Sequence, residues 1–228
     1  MGGIITALIG SISPSIVTSG LVLNLDATNT ASYPGTGTTW FDLSPSGLHA
    51  TGSSAITGQQ LQANQPYTTA STGILNTDTH SLFFSIQINN TSGTWDKIFG
   101  YEAGGSDRTP GIWRWPSTRR IHWRYDPGNS GTDFSVDTVG DNAGTEFVAN
   151  VWYYVGVTKN GSATRVYVNG QLIGTGSVAN PKTAGATPIR LYPGYTQNSS
   201  IMRHVHIYNR VISDAEVLSN YNAIRSRL

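Results

Sequence analysis

Two Asn-Gly pairs, placed close together, constrain the fold of this chain more than any other feature. Asn160 and Gly161 follow residues 151–158 (VWYYVGVT), a run rich in β-branched and aromatic side chains, and residues 164–168 return after them. Asn169 and Gly170 then lead into residues 171–174. An Asn-Gly pair between two β-rich runs is the strongest short-range signal of a hairpin. The stretch therefore predicts a three-stranded antiparallel meander.

A second strand signal lies near the C-terminal end. Residues 201–208 (IMRHVHIY) alternate between two sets of side chains, with the period of two that a sheet strand requires. Residues 21–26 (LVLNLD), near the other end of the chain, are the best candidate for a pairing partner. We therefore expect the two ends of the domain to meet in one sheet.

The long segment after residue 26 is dense in Gly, Pro, Ser and Thr. A patterned loop of this length is expected to pack against the domain, with Trp40 and Leu43 as its anchors.

A short helix is predicted directly after that strand. Ser213 is followed three residues later by Glu216, which is the pattern of a capping box. Ile212 before the cap and Val217 inside the helix have the spacing of a hydrophobic staple. The helix is predicted to be short and to have one apolar face.

Composition supports a single all-β domain. The chain has 228 residues, of which only 12% are charged and 26 are glycine, as is typical of many short strands joined by tight turns. The net charge of +1 favours neither nucleic acid nor a membrane surface as a partner. Cysteine is absent, which excludes disulfides and thiolate metal sites. No apolar run is long enough for a membrane span.

The first 19 residues differ from the rest and are predicted to form a separate apolar arm, with the β-sandwich domain occupying 20–228. No Lys or Arg precedes Lys97, so the start lacks the positive region of a signal peptide. We interpret the arm as a segment that packs on the domain or pairs with a neighbour. It is the predicted route to a homo-oligomer or to contact with other proteins of a larger particle.

Three segments resemble the concanavalin A-like lectin/glucanase superfamily, in its laminin-G-like form. They are the hairpin VWYYVGVTKNGSATRVYVNGQLIG, the tail HVHIYNRVISDAEVLSNYNA and the front GLVLNLDATNTASYPGTGTTWFDLSPSG. The front segment is similar to lectin-like domains of virion proteins from tailed phages and other large viruses. The resemblance implies a jelly-roll β-sandwich of two antiparallel sheets with one short C-terminal helix. It does not supply a function, since one fold hosts many functions.

The carboxylates argue against an enzyme. Relatives that hydrolyse glycans use paired carboxylates, and the two groups must stand within a defined distance of each other. This chain has only Glu102, Glu146 and Glu216, and none lies in a run of alternating acidic residues. Asp133 and Asp137 could share a strand face, although solvated loop residues are the simpler interpretation. We predict no catalytic residues, and a glycoside hydrolase is the least favoured function.

A calcium site is a further hypothesis. The resemblance implies that relatives often bind calcium through loop Asp and Asn side chains and backbone carbonyls, which are hard oxygen ligands. The best local cluster here contains four acidic residues, Asp126, Asp133, Asp137 and Asp141. No EF-hand spacing accompanies them, and ordinary turn chemistry also accounts for them. No other cofactor is predicted.

An aromatic and basic cluster supplies the candidate ligand or interface residues. Within each of two short runs, Trp113 and Trp115 are expected on one face, as are Trp123 and Tyr125, with the basic side chains on the opposite faces. Three interpretations stay open: a glycan platform, a protein interface, and Trp residues in the core with Arg residues in water. The cluster comprises Trp113, Arg114, Trp115, Arg120, His122, Trp123, Arg124 and Tyr125.

Together these features predict a non-catalytic structural or adhesion module. The expected setting is a virion surface, as a capsid decoration or fibre-associated protein, or another extracellular location. The alternative is a lectin that recognises cell-surface glycans, with or without calcium. Nucleic acid is not an expected partner, because lysine is scarce and the basic residues are confined to one region.

Overall fold

A computed structural model places most of the chain in two antiparallel sheets and a C-terminal helix. It describes residues 14–75, 77–100, 110–125, 146–178, 187–192 and 200–228, with the backbone alone at 71, 72 and 187.

The first sheet carries both ends of the domain. Its strand order is β1-β14-β6-β10-β11-β12, and β4 pairs with β14. The bounds are β1 Leu21–Asp26, β4 Leu61–Gln62, β6 Thr79–Ile88, β10 Trp152–Asn160, β11 Ala163–Val168, β12 Gln171–Ser177 and β14 Ser200–Tyr208.

The second sheet contains the aromatic and basic region. Its strand order is β2-β3-β5-β13-β7-β8-β9. The bounds are β2 Thr39–Trp40, β3 Ala50–Gly52, β5 Tyr67–Thr72, β7 Asp96–Gly100, β8 Gly111–Arg114, β9 Ile121–Arg124 and β13 Thr187–Leu191. The described strands thus form the jelly-roll sandwich that the sequence predicted.

The pairing of the two chain ends is confirmed. Strand β1 runs antiparallel to β14, with Leu25 opposite Val205 and Asp26 opposite His204. The helix α1 (Asp214–Ile224) follows β14 and begins with the predicted capping box of Ser213 and Glu216. A single 3₁₀ turn, Arg225–Arg227, completes the chain end.

Both predicted hairpins are confirmed, although the first turn consists of Gly161 and Ser162, since Asn160 still pairs with Ala163. The second turn also supports the helix. Asn169 and Gly170 both have positive φ, as a two-residue hairpin of this type requires. The Asn169 side chain accepts a hydrogen bond from the Tyr154 backbone N–H at 2.9 Å. A Cβ on Gly170 would stand 2.9 Å from Leu218 of α1, so only glycine lets the helix pack this closely.

Two apolar clusters stabilise the sandwich. The larger fills the space between the sheets and includes Leu23, Phe84 and Trp123. The smaller lies between α1 and the outer face of the first sheet, where Ile212 and Val217 pack as the staple predicted. Burial of these surfaces is the main source of stability.

The long segment after β1 packs against the domain, as its pattern predicted. Trp40 is fully buried and anchors it. The prediction that Leu43 is a second anchor is wrong, because its side chain is 37% exposed. Asp42 replaces it: this buried carboxylate accepts hydrogen bonds from the backbone N–H groups of Asn24, Ser44 and Leu48. A polar network therefore holds the segment where an apolar contact was expected.

The described end of the arm lies on the helix. Ile16 and Val17 pack against the smaller apolar cluster. The Val17 N–H donates to the Asn220 side chain at 2.8 Å, and the Val17 carbonyl accepts from the Tyr208 hydroxyl at 3.0 Å. Residues 16–17 thus pack as part of the domain. No helix in the described part of the chain is long and apolar enough to cross a bilayer.

Candidate functional site

The register of β7, β8 and β9 decides which side chains of the cluster share a face. Ile112 of β8 pairs with Trp123 of β9, and both belong to the core between the sheets. Trp113 pairs with His122, one position along, so these two lie on the outer face. The outer face of the second sheet is therefore the candidate site.

Four rings gather at one end of that face and form the aromatic cluster, Trp95, Trp113, Trp115 and His122. The Trp95 and Trp115 ring centroids are 4.9 Å apart, and both rings lie about 5 Å from His122. Trp95 also meets Trp113 edge to face at 6.2 Å. Trp95 is 37% exposed and Trp115 is half-buried, whereas Trp113 and His122 are buried. The accessible part of the cluster is thus the Trp95–Trp115 pair.

Positive charge accompanies the aromatic cluster. The Lys97 ammonium lies 5.2 Å from the centroid of the Trp113 ring, within the range of a cation–π interaction. Arg124 Nη1 lies 3.4 Å from His122 Nε2. Both cations are buried beside the rings. The outer face therefore combines aromatic rings with two cationic side chains.

Arg114 does not belong to that face. The expectation that the arginines of this region face water is wrong for Arg114, which is fully buried. Its Nε donates to Asp96 at 2.8 Å, and its Nη groups donate to the carbonyls of Thr94, Trp115 and Thr118. The guanidinium fork holds together the loop before β7 and the turn between β8 and β9. Arg114 is a structural residue of the interior.

Two further candidates also lie in the interior. Trp123 packs against Phe84, with ring centroids 5.8 Å apart, and is fully buried. The Tyr125 hydroxyl is 3.1 Å from His80 Nε2, and its ring belongs to the core. They share a face, as predicted, but that face is the inner one. Among the eight predicted residues, Trp115 and Arg120 are the half-buried ones that a ligand can reach.

The predicted calcium residues, Asp126, Asp133, Asp137 and Asp141, lie outside the described residues. Within the part of the chain that the structure describes, no group of three or more His, Asp or Glu side chains could hold a metal ion. The calcium hypothesis stays a prediction.

A Ser-His-Asp arrangement occurs on the outer face of the first sheet. Ser85 Oγ lies 2.8 Å from His204 Nδ1, and His204 Nε2 lies 3.3 Å from Asp26 Oδ1. Burial lowers the pKa of His204 in spite of the nearby carboxylate. Ser85 and His204 are fully buried, so a substrate carbonyl cannot reach the hydroxyl. Arg227 pairs with the other oxygen of Asp26, and the set links the chain end to β1.

Sequence reasoning missed Trp95 and Lys97. Both lie outside residues 113–125, which contain the predicted cluster. The pairing of β7 with β8 brings Lys97 and the adjacent Trp95 next to Trp113. The available signal was the sequence TWDKIFG, in which a Trp and a Lys two positions apart flank a strand start. A period of two places such residues on one face.

These features define a lectin-like β-sandwich with an aromatic and cationic sheet face. The chain belongs to the concanavalin A-like lectin/glucanase superfamily, since the laminin-G-like family model Laminin_G_3 matches residues 61–218. No curated protein matches the sequence.

Solved structures share the fold at low sequence identity. Trypanosoma rangeli sialidase aligns with a TM-score of 0.64 and 15% identity over 92% of this chain and 34% of its own. The binding domain of Paraclostridial Mosquitocidal Protein 1 aligns with a TM-score of 0.64 and 15% identity over 90% of this chain and 52% of its own. The botulinum neurotoxin serotype D binding domain aligns with a TM-score of 0.59 and 15% identity, again over 90% of this chain and 52% of its own. This chain therefore spans about a third to a half of the length of these structures.

Proposed function

We propose that this protein is a non-catalytic adhesion module that binds cell-surface carbohydrate through the outer face of its second sheet. The observation that carries the proposal is the aromatic cluster, in which Trp95 and Trp115 are accessible while buried Trp113 and His122 support them. Aromatic faces offer an apolar surface to a sugar ring, and Trp also carries a polar N–H. Rings held in place by neighbours lose little conformational entropy on binding.

The comparisons support a binding role at the level of the fold. Two of the similar structures are the binding domains of Paraclostridial Mosquitocidal Protein 1 and of botulinum neurotoxin serotype D, and the matching family is a lectin/glucanase superfamily. Fold-level likeness alone leaves the ligand open, so the assignment to carbohydrate depends on the aromatic cluster. The buried state of the Ser85–His204–Asp26 set supports the non-catalytic part of the proposal.

Binding of the purified chain to a broad glycan array tests this function. We expect specific binding by the native protein, and Trp115→Ala to weaken it by about 10-fold or more, as is typical of a central Trp in an interface. Trp152→Ala is the matched control: Trp152 is also half-buried, but it stacks on Arg203 in the first sheet, 4.4 Å from ring centroid to guanidinium carbon. An array with no hits from folded protein would contradict the proposal, as would equal losses in the two variants.

The setting that we propose is the surface of a virion or another extracellular particle, with the N-terminal arm as the attachment. The support comes from the front segment and from the apolar composition of residues 1–13. Ser15 still contacts α1 through its carbonyl, while Pro14 is exposed at the domain surface beside the helix.

Deletion of residues 1–13 tests this attachment. It leaves Ile16 and Val17 in the smaller apolar cluster, so the domain is expected to keep its unfolding midpoint. We expect self-association, measured by analytical ultracentrifugation, or incorporation into particles to be lost, while binding to glycans is unchanged. A truncated chain that assembles as the full chain does would exclude the arm as the attachment.

A further inference from the structure

A row of polar side chains crosses the accessible part of the same outer face. Thr39 of β2 pairs with Thr51 of β3, Thr51 pairs with Thr68 of β5, and Thr68 pairs with Arg190 of β13. Residues paired directly across antiparallel strands share a face, and adjacent strands are about 4.8 Å apart. These four residues, the threonine–arginine row, therefore form a line of about 14 Å.

The row faces outward because its neighbours in the chain face inward. Trp40, Ala50, Tyr67 and Leu191 precede or follow its members, and all four are buried in the core between the sheets. Thr51 is exposed, and Thr39, Thr68 and Arg190 are half-buried. A ligand lying on this face can reach every member of the row.

The polar groups of the row have no described partners. Within the described ranges, the three threonine hydroxyls make no hydrogen bond, and the Arg190 guanidinium makes no ion pair. Arg190 Nε is itself buried and without a hydrogen-bond partner among these residues. The donors that a ligand on this face can meet are therefore the terminal Nη groups of Arg190, whose side chain is half-buried.

A second cationic side chain lies at the arginine end of the row. Gly100 of β7 pairs with Arg190, and the Lys97 ammonium lies 3.0 Å from the position that a Cβ on Gly100 would occupy. The two cations are therefore neighbours on one face. Asp96, the carboxylate of β7, points to the other face, where it pairs with Arg114.

We propose that the threonine–arginine row is a subsite for a sugar that carries a carboxylate. The inference rests on the proposed carbohydrate function and names the class of sugar. The planar fork of Arg190 matches a carboxylate with two parallel hydrogen bonds. The threonine hydroxyls, which both donate and accept, suit the hydroxyl groups of the adjoining sugar rings. The aromatic cluster and the row lie on one face, so one oligosaccharide can contact both.

Three acidic oligosaccharides, each with a neutral counterpart, test the proposal by calorimetric titration of the full chain. The pairs are trigalacturonate and its methyl ester, trimannuronate and its methyl ester, and 3′-sialyllactose and lactose. We expect at least one acidic member to bind about 10- to 100-fold more tightly than its counterpart, as a charge-assisted bidentate contact provides. Arg190→Gln is expected to remove this difference, and Arg190→Lys to keep part of it.

Arg225→Gln is the matched control, since it removes the same charge from an exposed position at the end of α1. We expect it to leave the acidic preference unchanged. If the chain binds neutral sugars as tightly as acidic ones, this inference fails and the carbohydrate function stands. If no sugar of the panel binds, this inference fails, and the glycan array decides the carbohydrate function separately. If lactose 3′-sulfate binds as tightly as sialyllactose, the assignment to a carboxylate is overturned.

Discussion

Arg114→Met is expected to lower the free energy of unfolding by about 3–5 kcal/mol, the usual cost of removing one partner from a buried ion pair. The Arg114 side chain is fully buried, and its Nε lies 2.8 Å from Asp96 Oδ2. Methionine fills much of the same volume but leaves the Asp96 carboxylate and the carbonyls of Thr94 and Thr118 without these donors. Urea unfolding followed by circular dichroism measures the change.

A charge-matched variant separates this effect from the loss of a positive charge. Arg225→Met removes an exposed arginine and is expected to change stability by no more than about 0.5 kcal/mol. If Arg114 were a ligand residue, Arg114→Met would instead fold normally and lose only binding. A loss of stability below about 1 kcal/mol would therefore return Arg114 to the candidate site.

Acidification from pH 7 to pH 5 is expected to lower the free energy of unfolding by about 4 kcal/mol through two buried histidines. Burial lowers the pKa of His80 to about 4 and that of His206 to about 3. Both remain neutral in the folded protein at pH 5, while in the unfolded chain they gain protons below about 6.5. The unfolded state then binds more protons, so stability falls as the pH falls.

Other titratable groups lie close to these two histidines. Their titration also lowers the free energy of unfolding, either between pH 7 and pH 5 or only in stronger acid. Burial also lowers the pKa of His204, which adds to the loss between pH 7 and pH 5. Burial raises the pKa of Asp26, but hydrogen bonds from His204, Thr28 and Arg227 outweigh it and lower the pKa, so this contribution is lost only in stronger acid. Lys159 and Asp78, beside His80, oppose each other in their effects on its pKa.

Unfolding curves recorded at pH 7 and pH 5 test the histidine effect. The double variant His80→Asn/His206→Asn is expected to start from a lower stability and to lose less of it on acidification. His49→Asn, which changes an exposed histidine, should keep the native pH dependence. A native protein that is equally stable at both pH values would show that these side chains are charged in the fold.

Local patterns in the sequence were sufficient for several elements. The Asn160-Gly161 and Asn169-Gly170 pairs predicted two hairpins, because a preference for tight turns is a property of the residues themselves. Gly161, Asn169 and Gly170 have the positive φ of such turns. The capping box of Ser213 and Glu216 is likewise a contact between residues three apart. The closing strand and its partner at the front were also predicted, since both runs show a clear period of two.

The candidate site could not be predicted from local patterns, because it depends on which face of each strand points to the core. A period of two divides a strand into two faces but does not say which face is inside. Thus the sequence placed Trp123 with Tyr125 and separated both from His122, yet it could not say that Trp123 faces the core. Leu43 was expected to be buried because it is apolar, and a polar network around Asp42 took that place.

The sequence by itself determined the hairpins, the capped helix, the pairing of the chain ends and hence the sandwich, because each depends on short-range preferences or on one strong pattern. Only the tertiary structure brought Trp95 and Lys97 to Trp113, turned Arg114 inward and aligned Thr39, Thr51, Thr68 and Arg190. These arrangements depend on the register between strands that are distant in sequence. That register is fixed by the packing of the whole core and not by the residues that it brings together.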